Sequence, residues 1–423
     1  MTGWATVKLG TIANFKNGLN FNNENWGAGL KIIGVSDFKN RMFPDFESLE
    51  QINPRGVARD QDLLEQGDVV FVRSNGNRAL IGRCLYINEL PEPVSHSGFT
   101  IRLRFIDKRA IHAPFFVYVF KSDLVRQVLS DFGGGTNINN LNQGILQNLE
   151  VPLPSLQVQR KIAAILSAYD DLIANNQRRI ALLEFMAEEI YREWFVRMRF
   201  PGHESVHTVG FASSRWSRSA IGDLCQIIKR GVTPKYADDA DRLVINQKCI
   251  RDGRVSLDDA RTHDTVVPNE KLLRYGDVLI NSTGVGTLGR VAVFDLAVLG
   301  ATCDTHVTIC RAKASGVGTE YLSQTLCALQ SYFESMAAGS TGQSELGREV
   351  IARTKITLPP DDLRMRFGEI VTPMRKQRRA LLDQNVSMAA VRDALLPRLI
   401  SGKLKVDHLD IQLPPSMREK VTG

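Results

Sequence analysis

Two compact apolar runs, Asp68 to Val72 and Asp277 to Ile280, each follow a Gly-Asp turn and read as buried strands. Phe99 to Phe105 alternates apolar and polar residues, the period of a half-buried strand, and Thr305 to Arg311 is its partner further along. Pro114 opens an apolar helical segment, FFVYVFKSDLVRQVL, whose counterpart is Tyr321 to Phe333. Glycine-rich loops follow at Gly133 to Asn140 and Gly339 to Ser344. After VPLPSL the period changes. Ile162, Leu166, Tyr169, Ile173, Asn176, Ile180, Leu183, Ala187, Ile190 and Trp194 alternate steps of four and three. That is a coiled-coil seam, and a buried Asn176 within it would fix register. A second seam runs through Phe367, Ile370, Met374, Gln377, Leu381, Gln384, Met388, Val391 and Leu395. Two seams in one chain are expected to pack on each other, antiparallel. Leu156 to Met198 predicts one continuous helix of about 65 Å. Pro373 predicts a bend or a fresh start of the second helix near Thr372.

These elements recur because the chain is duplicated. WATVKLGTI (Trp4 to Ile12) returns as WSRSAIGDL, QGDVVFVR (Gln66 to Arg73) as YGDVLINS, and the stretch ending at Pro154 as GSTGQSELGREVIARTKITLPP. The spacing between copies drifts slowly, as loop length changes would make it do. The expected fold is mixed α/β: two similar globular domains joined by two long helices. The chain divides into a domain at 1–154, a coiled-coil helix at 155–200 and a linker at 201–215. A second domain follows at 216–360, a second helix at 361–403 and a polar tail at 404–423. Two similar surfaces suit the reading of two half-sites on one linear polymer. A tandem repeat without a shared ligand is the alternative.

Composition adds little to this picture. At 423 residues the chain can bury more than one core, and its 23% charged residues are ordinary for a soluble protein. No apolar run nears membrane-spanning length and MTGWATVKLG lacks a secretory signal, so a cytoplasmic location is expected. Six cysteines show no paired metal spacing, which fits free thiols in a reducing compartment. A net charge of +7 favours a polyanionic partner.

The chemistry of catalysis is missing. Gly284 to Gly289 (GVGTLG) matches a dinucleotide-loop spacing, but a strand-like RVAVF follows where a helix is required. A glycine-rich turn between strands is the better account. There is no phosphate-binding GxxxxGK[ST] loop and no Asn-Pro-Pro-Tyr-type tetrad of amino-methyltransferases. His203 and His207 have metal-ligand separation but lie in the turn-rich linker, so no metal or other cofactor is expected. What remains is a set of basic and amide-bearing loops that recur in place. Arg73, Ser74, Asn75, Asn77 and Arg78 correspond to Asn281, Ser282 and Thr283. The following ladders end in Arg83 and Arg290. Lys16 and Asn17 before Gly18 correspond to Lys229 and Arg230 before Gly231. Arginine and asparagine read base edges, and hydroxyls serve bases or phosphates, so these are the candidate DNA contacts.

The chain resembles the specificity subunit of Type I restriction–modification enzymes. The resemblance rests on VPLPSLQVQRKIAAILSAYDDLIANNQRRIALLE, IYREWF, LLPRLISGKL and the W-x-x-x-x-L/I-G openings at Trp4 and Trp216. It covers the whole chain and weakens at TLPPDDLRMRFGEIV. It implies two target-recognition domains, each reading one half of a bipartite asymmetric DNA site. It implies helices that set the spacer, with Ile162, Leu166, Ile173, Asn176, Ile180, Leu183, Leu381, Met388 and Leu395 as the expected seam. Two modification (methyltransferase) subunits would dock on those helices, joined by restriction/translocase subunits. S-adenosylmethionine, ATP and magnesium would belong to those partners. A related Type IIB or IIG-like system, or a coiled-coil protein-interaction scaffold, is the alternative.

Overall fold

The structure, a computed structural model, describes residues 4–38, 42–74, 80–131, 141–205, 216–313, 318–337 and 345–414. The chain forms two compact units, one of residues 1–175 with 385–423, the other of residues 176–384. The division falls inside both long helices, so each unit holds one globular domain and one part of each helix.

In the first unit, Ala13–Asn17, Thr100–Phe105, Val69–Val72 and Cys84–Tyr86 form an antiparallel sheet in that order. A second sheet has the order Glu50–Ile52, Trp26–Ile33, Val94–His96, with its last pair parallel. The fully apolar Val69–Val72 is buried throughout, as its sequence requires. The helices Ala113–Lys121 and Asp123–Asp131 realise the apolar segment after His112, and Phe71, Phe115, Phe116 and Phe120 fill the core. Thr6–Lys8 pairs with Glu150–Pro152, so the two ends of the domain are clasped side by side.

The second unit repeats this plan and adds a short hairpin, Ile250–Arg251 paired with Arg254–Val255. Its first sheet runs Cys225–Arg230, Val307–Ala312, Asp277–Asn281, Val291–Phe294. Its second runs Arg261–His263, Arg242–Ile245, Thr302–Cys303, again with a parallel last pair. The glycine-rich GVGTLG segment is the turn of the hairpin between Asp277–Asn281 and Val291–Phe294. A Cβ on Gly289 would lie 2.6 Å from the backbone nitrogen of Glu334, so a helix packs directly on that glycine. Ser217–Ala220 and Lys355–Leu358 form the same clasp as in the first domain.

The first long helix is α-helical over Leu156–Tyr191 and continues as a π turn, Arg192–Val196. The expected continuous α-helix to Met198 is therefore corrected. The wider turn lets Tyr191, Trp194 and Phe195 all face the core, and Met198, at φ 58°, ends the run. The second helix, Asp361–Ile400, does not restart at Pro373, which lies exposed within it. Tertiary packing on both sides holds it: Phe367 and Val371 before the proline are buried, and so is Leu381 after it. In the first unit Ile162 and Leu166 share a core with Leu399 and Ile400. In the second, Ala187, Tyr191 and Trp194 share one with Phe367 and Val371. The beginning of one helix thus meets the end of the other in each unit, which is antiparallel packing. Of the seam residues, Asn176, Ile180 and Leu381 are buried, while Ile173, Leu183, Met388 and Leu395 are half-buried. Asn176 Nδ2 donates to Gln384 Oε1 at 3.5 Å.

The start of the tail is anchored to the first unit. Val406 is fully buried in the first unit's core, and Lys161 Nζ donates to the carbonyl of Asp407 at 2.6 Å.

Candidate nucleic-acid interface

Antiparallel pairing brings the first domain's candidate residues to one end of its sheet. Asn17 pairs with Ile101, Val72 with Thr100 and Phe71 with Cys84. The strand ends that carry Lys16, Asn17, Arg73, Ser74 and Arg83 therefore converge. Phe99, 63% exposed, lies among them and accepts a hydrogen bond from Arg73 N at 2.8 Å through its carbonyl. In the second domain Arg230 pairs with Thr308, Asn281 with Val307 and Ile280 with Val291. That end gathers Lys229, Arg230, Thr283, Arg290 and His306. Asn75, Asn77 and Arg78, the glycine-rich segments 133–140 and 339–344, and His207 lie outside the described residues.

Glycine is required where the basic turns leave the sheet. A Cβ on Gly18 would sit 2.2 Å from the Ser97 carbonyl oxygen, and one on Gly231 would sit 1.8 Å from that of Cys303. The next residue in each copy donates across the same contact: Leu19 N to His96 O and Val232 N to Cys303 O, both at 2.8 Å.

The lysines of these turns are held by carboxylates. Lys16 Nζ lies 2.6 Å from Asp62, and Lys229 Nζ lies 2.7 Å from Glu270. Burial acts to raise the Asp62 carboxyl, but its bonds from Lys16 and the Arg59 backbone outweigh that and hold it low. Lys229 holds Glu270 low in the same way. Arg230 pairs with Glu345. Ion pairs open to solvent are weak and screened by salt, so at Lys229 and Arg230 a phosphate can replace the acid at small cost. Arg73 Nη1 donates to the Gly98 carbonyl at 3.2 Å, Arg83 Nη1 to that of Phe38 at 3.4 Å, and Arg290 Nη2 to that of Gly286 at 2.8 Å. For Arg73 and Arg290, such a bond aims the guanidinium while leaving further donors of its fork for a ligand.

Asn281 and Ser282 are corrected as DNA contacts. Both are fully buried. Asn281 Nδ2 donates to the carbonyls of Gln247 and Thr287, each at 3.0 Å, and Ser282 Oγ bonds Thr308 Oγ1 at 2.6 Å. Their side chains close the hairpin instead of facing outward. Thr283 remains at the surface, with Oγ1 2.6 Å from His306 Nδ1.

Sequence reasoning also missed what the Gly-Asp turns do. Asp68 receives Arg104 Nε at 2.8 Å and Nη2 at 2.7 Å, and Asp277 receives Arg311 Nε and Nη2 at 2.7 Å each. Each carboxylate also accepts the backbone N–H three residues before it, Glu65 or Arg274. The signal was present: both alternating strands carry an arginine near their ends, at Arg104 and Arg311. Among the described residues no His, Cys, Asp or Glu group is arranged to hold a metal ion, and no helix is long and apolar enough to cross a membrane.

Arg73→Ala and Arg290→Ala are each expected to weaken DNA binding without changing the fold. If the contact is to phosphate, the loss is uniform across sequences and the salt slope falls by about one unit. Unchanged affinity in both variants, measured by titration at several salt concentrations, would return these side chains to solvent.

The family model described as the Type I restriction modification DNA specificity domain matches residues 1–184 and again 213–377. The chain is 24% identical over 398 residues to the Type I restriction enzyme MjaIX specificity subunit of Methanocaldococcus jannaschii, covering 91% of this chain and 89% of that one. It is 26% identical over 195 residues to the Type I restriction enzyme StySPI specificity subunit of Salmonella potsdam, covering 45% and 40%. In fold it is similar to the Type I restriction–modification S subunit from M. genitalium, with a TM-score of 0.60 at 16% identity over 94% and 96% of the two chains. With two copies of the matched domain spanning most of its length, this chain belongs to the family of Type I restriction–modification specificity subunits.

Proposed function

We infer that each globular domain reads one half of a bipartite, asymmetric DNA site, and that the paired helices set the unread spacer between them. The observation that carries this is the duplication. Two domains with one topology place a basic turn and an arginine-bearing hairpin at the same sheet end, while the side chains there differ. Same scaffold and different side chains are what two different half-sites require. Modification subunits that methylate the DNA are the inferred partners, with restriction/translocase subunits joining them. S-adenosylmethionine, ATP and magnesium belong to those partners in this reading. Leu182, Phe185 and Met186 form an apolar stripe on the first long helix, with Phe185 59% exposed, and this stripe supports docking of such a partner there.

The test is domain exchange. The terminal clasp closes the first domain on itself, so replacing residues up to Leu153 with those of a relative should change one half of the methylated sequence only. A chimera that altered both halves would overturn the modular reading. Methyl transfer to DNA by the isolated chain would overturn the division of labour.

A further inference from the structure

A cleft of about 450 Å³ opens in the second domain, lined by Tyr236, Asn246, Gln247, Lys248, Arg261 and His306. Its central feature is a cation–π contact. The guanidinium carbon of Arg261 lies 3.6 Å from the centre of the Tyr236 ring, and Tyr236 is 41% exposed. A guanidinium seated over an aromatic face is held in place by the ring, and its rigid fork of N–H donors is pre-organised for a bidentate acceptor.

Strand register shows that this is a shared position of both copies. Tyr236 bridges to His263, which also pairs with Arg242. Trp26 pairs with Ile52, which also pairs with Leu30. Leu30 and Arg242 hold equivalent places, because Ile33 and Ile245, three residues on, both pair with the parallel third strand. Tyr236 and Trp26 are therefore counterparts, and both are exposed aromatics; Trp26 is 45% exposed and braced edge-on by Phe21 at 5.2 Å. Following the same ladder, Val244 pairs with Arg261 and Ile32 pairs with Glu50. The two domains thus present opposite charges, arginine and glutamate, at one register position. The turns that follow differ too: Asn246-Gln247-Lys248 in one, Gly34-Val35-Ser36 in the other.

The cleft is built for a base edge and not for a phosphate. Asp258, Asp259 and Asp304 also line it, and three carboxylates repel an anion. Base edges need both donors and acceptors, which this mixed lining supplies. An arginine fork matches the two acceptors of guanine, whereas a carboxylate matches the amino donor of cytosine.

We propose that Arg261, held over the Tyr236 ring, is a specificity-determining residue of the second domain, and that Glu50 holds the matching position in the first. The proposal rests on the half-site reading above and names side chains that would perform it. The predicted selectivity is for an acceptor-rich base edge at Arg261 and for an amino-bearing edge at Glu50.

The experiment is sequencing of DNA methylated by the complete enzyme carrying Arg261→Gln, Arg261→Lys or Glu50→Gln. Both Arg261 variants should relax one base pair of the second half-site by about 5- to 150-fold and leave the first half unchanged. Arg261→Lys keeps the charge and stem, so it separates loss of the fork from loss of fold. Glu50→Gln should relax one base pair of the first half only. An unchanged pattern in all three variants overturns the proposal. So does a uniform loss across sequences with a smaller salt slope, the mark of a phosphate contact. If domain exchange moves a half-site while these variants do nothing, the cleft assignment alone fails. If exchange itself moves nothing, the broader reading fails.

Discussion

Arg378→Ala is expected to destabilise the unit of residues 176–384 by about 3 kcal/mol or more. Arg378 Nη1 pairs with Asp295, and its Nε pairs with Glu184. Arg254 Nε also donates to Glu184 at 2.8 Å. The Asp295 side chain is only 5% exposed, so removing the guanidinium leaves a buried carboxylate without its cation. Glu184 keeps Arg254 and suffers less. The double variant Arg378→Met with Asp295→Leu should recover most of the loss, because an apolar pair of similar volume escapes the desolvation penalty. Hydrogen exchange across residues 216–313 would measure both. A single-variant loss below about 1 kcal/mol would show that the pair is no better than a surface contact. There is a pH signature as well. Burial tends to raise the Glu184 carboxyl, but Arg254 and Arg378 outweigh it and hold it below the usual range. The folded value is depressed, so this contribution is present above the unfolded pKa and is lost as pH falls through the folded one.

Gly231→Ala is expected to remove recognition of the second half-site. The new Cβ would stand 1.8 Å from the Cys303 oxygen and 2.4 Å from that of Asp304, both backbone atoms that no rotamer change can move aside. The turn must shift by more than an ångström, breaking the Gly231 N to Val307 O bond of 3.1 Å and the Val232 bond beside it. Methylation of the cognate site should fall on the order of 100-fold, the scale of a 1 Å misplacement. Gly18→Ala should act in the same way on the first half. Gly368→Ala is the control: it opens onto empty space, two turns inside the helix Asp361–Ile400, and should stabilise by about 0.5–1 kcal/mol. Undiminished methylation by Gly231→Ala would show that the turn lies away from the DNA.

Features carried by local period or by recurrence are legible in the sequence alone. The strands after Gly67 and Gly276, the apolar helix after His112 and the seam through Ile162, Ile180 and Leu381 are of this kind. Features set by which way a side chain leaves a strand end are not. Asn281 and Ser282 looked like exposed turn residues, yet they point inward to Thr287, Gln247 and Thr308. Pro373 argued locally for a break, and packing of Phe367, Val371 and Leu381 overrode it. The match of Trp26 with Tyr236 was invisible for another reason. The two stand at different distances after Lys16 and Lys229, and only pairing with a distant strand aligns them.

Leu399, Ile400 and Val406 complete a core that otherwise comes from the first 166 residues. During synthesis that core stays incomplete until the segment through Val406 has left the ribosome. The unit of residues 176–384 is contiguous and can close earlier, reversing the usual N-terminal-first order. A nascent chain stalled so that Gln384 has just emerged from the ribosome should therefore show protection across residues 216–313 while Ile162 and Leu166 still exchange freely. The domain made first is finished last, and its exposed apolar surface in the interval is where a chaperone would be needed.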